Sequence, residues 1–125
     1  MSNILLVTNH LAEGAIVVNR LVKYGATDRG ILQAAASTDF IIGSCMESGA
    51  AIGERQDVCR AGIGWVEAGA AVVRGSPITS DASGRAITAA PAAGVNARIV
   101  GFADESASAA GDVIRYVIEP GLMQG

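Results

Sequence analysis

The sequence predicts an all-β fold, and within that class an internally duplicated small β-barrel or sandwich with an extended N-terminal arm. Sixteen of the 125 residues are glycine, whereas lysine, glutamate and leucine are scarce. Glycine costs about 1 kcal/mol relative to alanine inside a helix, so this composition disfavours a helical bundle and suits many tight turns. Short β-branched runs between Gly, Asp and Ser clusters, together with a repeated order of motifs, complete the prediction.

The same motifs occur in the same order in the two halves of the chain. Similar segments occur twice, first at 14–18, 27–32, 40–43 and 47–54, and again at 69–73, 80–87, 98–101 and 105–112. The shift between the copies is 55 residues at the start and 58 at the end. Such self-similarity indicates a repeated architecture. We therefore predict an arm over residues 1–12 and one β domain over residues 13–125, with related halves at about 13–65 and 66–123.

Eight short runs are expected to form the strands: residues 16–24, 30–34, 41–46, 57–67, 76–79, 85–88, 97–103 and 113–119. Alternation of apolar and polar residues, typical of a strand with one buried face, is clearest in the fourth and eighth runs. The predicted buried faces are Cys59, Ala61, Ile63 and Trp65 in the fourth run, and Ile114, Tyr116 and Ile118 in the eighth. A short helix is possible over residues 69–74, and residues 81–84 fit a hairpin turn.

The N-terminal residues differ from the rest of the chain. Ile4, Leu5, Leu6 and Val7 form an apolar run with no partner strand close in sequence. This run fits two interpretations: a strand of the chain's own barrel, or an exposed segment that adds itself to the edge of a partner's sheet. It lacks a basic flank and is too short for a signal peptide or a membrane span, so we expect a soluble protein made in a cytoplasm.

Charge and reactive residues argue against catalysis and against nucleic-acid binding. The formal net charge is −3 and the nine basic residues are scattered singly, which is unlike the basic patch of a nucleic-acid binder. His10 is the only histidine, so a histidine-based triad or a multi-histidine metal site is excluded, and we expect this side chain at the surface. No nucleophile is placed beside a base. We predict no enzymatic activity, no cofactor and no metal.

Cys45, Cys59 and Trp65 each allow two interpretations. The two cysteines are too few for a disulfide framework, so buried free thiols are favoured over a disulfide between neighbouring strands. Trp65 is in register with Cys59, which favours a core position, but it could instead be an exposed aromatic platform. The platform would make the chain a small β-barrel that binds a ligand or glycan, and this is the alternative to a structural role.

Five segments together resemble the capsid cement, or decoration, proteins of tailed bacteriophages and prophages: residues 22–28, 53–58, 62–67, 74–86 and 98–103. Each segment is a turn with flanking strand residues, so the resemblance depends on their order and spacing. It covers roughly residues 12–123.

The resemblance implies a structural virion protein that is made in the bacterial host cytoplasm, binds the outside of the expanded phage head and holds neighbouring major capsid protein subunits together. Members similar to the lambda decoration protein are homotrimers with an N-terminal arm that reaches onto the capsid lattice. On this chain that role would fall to residues 1–12, with Ile4, Leu5, Leu6 and Val7 as candidate partner-binding residues. Deleting residues 2–10 is then expected to leave a folded protein that no longer binds expanded heads.

Overall fold

The computed structural model describes residues 3–125, which form nine strands of one sheet and no helix. The strands are β1 (Ile4–Ala12), β2 (Arg20–Tyr24), β3 (Gly30–Gln33), β4 (Ile41–Cys45), β5 (Arg55–Glu67), β6 (Pro77–Ser80), β7 (Ala86–Thr88), β8 (Asn96–Ala103) and β9 (Val113–Gln124). Their order in the sheet is β1-β3-β2-β4-β5-β9-β8-β6-β7. The all-β prediction is confirmed. None of residues 3–125 lies in a helix with the length and apolar character needed to cross a bilayer.

A further pairing between β1 and β5 closes part of the sheet into a ring of five strands. Around the ring, β1 pairs in parallel with β3, while the β3–β2, β2–β4, β4–β5 and β5–β1 pairings are antiparallel. The parallel contact is short, because only Leu11 and Ala12 of β1 pair with β3. The long antiparallel contact with β5 therefore holds most of β1 in place.

The second half of the chain repeats this connectivity strand by strand. β6, β7, β8 and β9 pair with one another as β2, β3, β4 and β5 do. The C-terminal part of β5 takes the place of β1, since it pairs antiparallel with β9 and leads into an isolated parallel bridge between Ala68 and Ala86. The predicted duplication is confirmed, and the 13-residue β5 serves both copies.

Equivalent backbone hydrogen bonds make the duplication explicit. The amide of Ala12 donates to the carbonyl of Glu54 at 2.9 Å, and the amide of Ala68 donates to the carbonyl of Asp112 at 2.7 Å. We call β1 to β4 with the N-terminal part of β5 repeat 1. The C-terminal part of β5 with β6 to β9 is repeat 2.

Each repeat has its own hydrophobic cluster. The cluster of repeat 1 is Ala12, Ile16, Val22, Ile31, Ile42, Cys45, Ala50 and Val58. The larger cluster contains the counterparts of these residues in repeat 2, such as Ala68 for Ala12 and Val100 for Ile42. It also includes Leu21, Ile41 and Cys59 of repeat 1. The two repeats therefore share part of one core, which joins them into one folded unit.

The buried face of β5 agrees with the prediction at Cys59 and differs from it further along the strand, whereas that of β9 is confirmed. In β5 the residues that face the core include Val58, Gly64 and Val66, while Trp65 is half-buried and belongs to neither cluster. The reason is Gly64, whose missing side chain leaves space for the ring of Tyr116: a Cβ at Gly64 would lie 3.2 Å from Tyr116 Cε1. A glycine on a core face looks polar in a sequence pattern, so the sequence indicates the wrong face for the part of β5 after Cys59.

The short helix considered over residues 69–74 does not form. The amide of Gly69 donates to the carbonyl of Ala86 at 2.8 Å, and Val72 and Ala107 exchange two hydrogen bonds of 3.0 and 2.9 Å. These bonds to distant segments take the backbone groups that a helix would use within itself. The β-branched Val72 and Val73 also favour extended backbone.

The first twelve residues are built into the sheet over the part that the structure describes. β1 pairs with β5 from Ile4 to Leu11, and Ala12 is buried in the cluster of repeat 1. Deleting residues 2–10 would remove one strand of the ring and expose the apolar surface beneath it. We therefore expect this truncation to destabilise the fold, and point substitutions are the more suitable test of the segment.

Candidate functional site

The N-terminal part of β1 presents consecutive apolar side chains to solvent. Leu5 is 81% exposed, Leu6 48% and Val7 47%, whereas Ile4 is half-buried against the larger core. A regular strand would alternate these side chains between two faces. Two register shifts against β5, on either side of Leu6, interrupt the alternation. Bulges of this kind redirect side chains, and here they place three neighbouring apolar groups at the surface.

Gly62 of β5 fixes the start of β1. Its φ is +91°, and a Cβ at this position would overlap the backbone oxygen of Asn3. The amide of Ile63 donates to that same oxygen at 2.9 Å. Only glycine combines this backbone conformation with so close an approach of another chain segment. The exposed apolar run is therefore held on β5 at a defined position.

The outer edge of β1 is open over most of its length. β3 pairs with β1 only at Leu11 and Ala12, so within residues 3–125 the edge of residues 4–10 has no strand partner. An open edge offers unpaired N–H and C=O groups to another chain. Combined with exposed apolar side chains, it has the features required for strand addition by a partner, in which backbone bonds give affinity and side chains give fit.

A groove of about 270 Å³ lies between β1, β5 and the loop after β4. Ile4, Val7 and Met46 supply apolar lining, and Arg55 and Asp57 supply charge. Asn9 Nδ2 donates to Asp57 Oδ1 at 3.0 Å, which fixes the polar end of the groove. The groove can accept a segment with mixed apolar and polar side chains. Of the predicted site residues, Ile4 and Val7 line it while Leu5 and Leu6 extend the surface.

His10 is buried, so its predicted surface position is wrong. It is 5% exposed and hydrogen-bonded through Nε2 to Thr8 Oγ1 at 2.6 Å. Burial is the main cause that lowers the pKa of His10, and the charges of Arg60, Arg55 and Arg29 lower it further. The imidazole is therefore neutral at pH 7. Its inward position follows from the pairing of β1 with β5, which a short N-terminal run does not reveal.

The two cysteines are free and buried, as predicted. Burial raises the pKa of Cys45 to about 11 and also raises that of Cys59. The reactive form of a cysteine is the thiolate, so these thiols are poor nucleophiles at neutral pH. Among residues 3–125, no group of three or more His, Cys, Asp or Glu side chains is arranged to hold a metal ion.

Sequence reasoning identified the apolar run but missed the residues that complete the groove. Met46 follows β4, and Arg55 and Asp57 begin β5, so no sequence motif unites them. In the sequence the stretch of residues 53–58 is only one of five segments that each combine a turn with flanking strand residues. Its position beside β1 depends on the long-range pairing of β1 with β5.

The fold defines an all-β protein made of two joined repeats with one exposed apolar strand edge. The model of the phage cement protein family matches residues 2–118, so the chain belongs to that family and is a structural component of a phage capsid. The fold is also similar to that of the N base of head fiber gp8.5 in bacteriophage phi29, with a TM-score of 0.70 and 20% sequence identity. This similarity covers 91% of the present chain and 93% of the phi29 chain. No curated protein sequence matches the chain.

Proposed function

We propose that this protein binds the exterior of the expanded phage head and stabilises contacts between major capsid protein subunits. The observation that carries the proposal is the consecutive exposure of Leu5, Leu6 and Val7 beside an open strand edge. Contiguous exposed apolar side chains point to an interaction site more strongly than apolar residues scattered singly over the surface. The apolar groups are held on a rigid sheet, so little conformational entropy is lost when the shell covers them.

The action of such a protein is structural and requires no catalytic group. A protein that binds the expanded shell and not its precursor stabilises the expanded form by mass action. If it also bridges two capsid subunits, the second contact forms at a high effective concentration. We further propose that it binds as a homotrimer, which would multiply the contacts per particle. The mass of the protein, either free in solution or after release from the heads, is then expected to be about three times 12.6 kDa.

The test is co-sedimentation of the purified protein with undecorated expanded heads and with unexpanded procapsids. Wild type should bind expanded heads saturably and procapsids weakly. The variant Leu5→Asp/Leu6→Asp should bind expanded heads about 100-fold more weakly, since two apolar contacts of about 1.5 kcal/mol each are lost. Multi-angle light scattering measures the mass of the protein.

The matched control is Val73→Asp/Val95→Asp, which introduces the same charges at two exposed valines of repeat 2. Both double variants should unfold at nearly the wild-type temperature, because surface substitutions usually change stability by less than about 0.5 kcal/mol. Equal binding by the two double variants would exclude β1 as the capsid-binding surface. Equal binding of wild type to heads and procapsids would contradict the stabilising role.

A further inference from the structure

Two aromatic residues on the surface of the protein are each flanked by an arginine. The rings of Tyr24 and Phe40 have centroids 5.4 Å apart and planes inclined at 57°. The guanidinium carbon of Arg60 lies 5.6 Å from the centroid of Tyr24, and that of Arg98 lies 4.4 Å from the centroid of Phe40. We call these four residues the arginine–aromatic stripe. It lies across both repeats, since Arg98 belongs to β8.

The stripe combines exposed aromatic surface with positive charge that is not neutralised within the chain. Tyr24 and Phe40 are 46% and 47% exposed. No ion pair with a carboxylate forms at Arg60 or Arg98 among residues 3–125, whereas Lys23 beside Tyr24 pairs with Asp39 at 3.2 Å. The two guanidinium groups therefore keep charge available for a partner.

A side-chain hydrogen bond orients Arg60, and a backbone hydrogen bond positions Arg98, before any partner binds. Arg60 Nη2 donates to the hydroxyl of Tyr24 at 2.7 Å, and the backbone amide of Arg98 donates to the carbonyl of Ser37 at 2.7 Å. A guanidinium stacked on an aromatic face is attracted to the ring and still directs N–H groups outward along its edge. A shallow depression of about 70 Å³, lined by Phe40, Arg98 and Pro120, adjoins the stacked ring.

We propose that the arginine–aromatic stripe binds carboxylate side chains on a subunit of the capsid shell, and forms a second contact separate from β1. This inference rests on the proposed function. Tyrosine and arginine are the residues that most often dominate binding energy at protein interfaces. A guanidinium donates two parallel hydrogen bonds to a carboxylate. The chain has a net charge of −3, so an acidic shell surface would repel it except where a positive patch provides local complementarity.

The first test compares Arg98→Gln with Arg74→Gln in the binding assay with expanded heads. Arg74 is an exposed arginine with no carboxylate partner in the described part of the chain, so its substitution makes the same change of net charge. Arg98→Gln should weaken binding about 10-fold at low salt. The difference from wild type should shrink at 0.5 M salt, because the Debye length is then only about 4 Å and the charges are screened. Arg98→Lys should be intermediate, because lysine keeps the charge and loses the bidentate geometry. Equal affinities for Arg98→Gln and Arg74→Gln would overturn the proposal.

The second test needs no phage particle. Protein labelled with ¹⁵N is titrated with a peptide of eight aspartates, and the Nε–H resonances of all arginines are followed. Saturable shifts confined to Arg60 and Arg98, and lost in Arg98→Gln, would support a carboxylate site. Shifts of the same size at Arg74, or none at the stripe, would refute it. If wild type fails to bind heads, the proposed function fails and this titration alone decides the stripe.

Discussion

The two repeats have the same strand pairing but differ in chemical character at one pair of facing residues. In repeat 1, His10 of β1 and Gln56 of β5 are paired across the strands, and both are buried. At the same place in repeat 2 the pair is Val66 and Ile114, which belong to the larger core. Apolar residues are the ordinary occupants of such a position. The polar pair of repeat 1 is therefore an exception to the repeated pattern, and it lies next to the groove and the open edge of β1.

The first strand of each repeat, β1 in repeat 1 and the C-terminal part of β5 in repeat 2, also differs in how far it is covered by other residues. In repeat 2 the backbone of Trp65 is covered by repeat 1: its carbonyl accepts a hydrogen bond from Ser44 Oγ at 2.9 Å, and its amide donates to Met46 Sδ at 3.0 Å. In repeat 1 the corresponding part of β1 pairs with β5 on one side, and its other edge has no strand partner among the described residues. Duplication thus explains the scaffold, and the departures from it mark the surface that remains for a partner.

Substitution of Gly43 and Gly101 should give the largest effects and test whether the repeats are energetically equivalent. A Cβ at Gly43 would overlap the carbonyl oxygen of Cys59, and one at Gly101 would overlap that of Val117. Both contacts lie where the fourth and fifth strands of a repeat approach closely. Gly43→Ala and Gly101→Ala should each lower the free energy of unfolding by about 3 kcal/mol or more, measured by urea denaturation.

The matched controls are Gly53→Ala and Gly111→Ala, at equivalent turns of the two repeats. Both glycines have positive φ, +86° and +96°, and nothing lies within 4 Å of a Cβ there. Each should cost only about 1 kcal/mol, the strain of a side chain at positive φ. A large loss at Gly43 with little loss at Gly101 would show that the structural repeats do not share one energetic design.

The duplication was predictable because turns and apolar spacing recur in the sequence, and the buried face of β9 was predictable because no glycine interrupts its core-facing residues. The core face of β5 around Gly64 was not, since the space at this glycine is filled by the ring of Tyr116, which lies 52 residues later in the chain. Of the candidate site, Ile4 to Val7 stood out as an apolar run. The arginine–aromatic stripe could not be predicted, because its residues come from β2, β5, β8 and the segment before β4.

Removal of the Tyr116 hydroxyl should have an intermediate effect and test the junction between the repeats. Tyr116 is fully buried, and its hydroxyl donates to Ser44 Oγ at 2.8 Å. Its counterpart in repeat 1 is Val58, which has no polar group. Tyr116→Phe should lower the free energy of unfolding by about 1 to 2 kcal/mol, because Ser44 loses a buried hydrogen-bond partner.

Tyr24→Phe is the control for the same chemical change at an exposed ring, and it should alter stability by less than about 0.5 kcal/mol. Urea denaturation of both variants provides the comparison. If the two variants were equally stable, the Tyr116–Ser44 hydrogen bond would contribute nothing to the joining of the repeats.

Replacement of His10 by valine, the residue type at the equivalent position 66 of repeat 2, should have the smallest effect on stability. The effect should depend on pH. Burial lowers the pKa of His10 below its ordinary value of 6.5. As the pH falls below 6.5, the unfolded chain takes up a proton that the folded protein does not, so stability is full above this pH and declines beneath it. The unfolding temperature of wild type should therefore fall by a few degrees between pH 7.5 and 5.5.

In His10→Val this decline should be absent, because His10 is the only histidine and the carboxylates with lowered pKa, Glu13 and Asp112, titrate at lower pH. Calorimetry at several pH values in that window measures the difference. A variant that is also more stable at pH 7 would show that repeat 1 retains a polar residue at a cost in stability, where repeat 2 has the more stable valine. An identical pH dependence in wild type and variant would mean that the imidazole gains a proton as easily in the fold as in the unfolded chain.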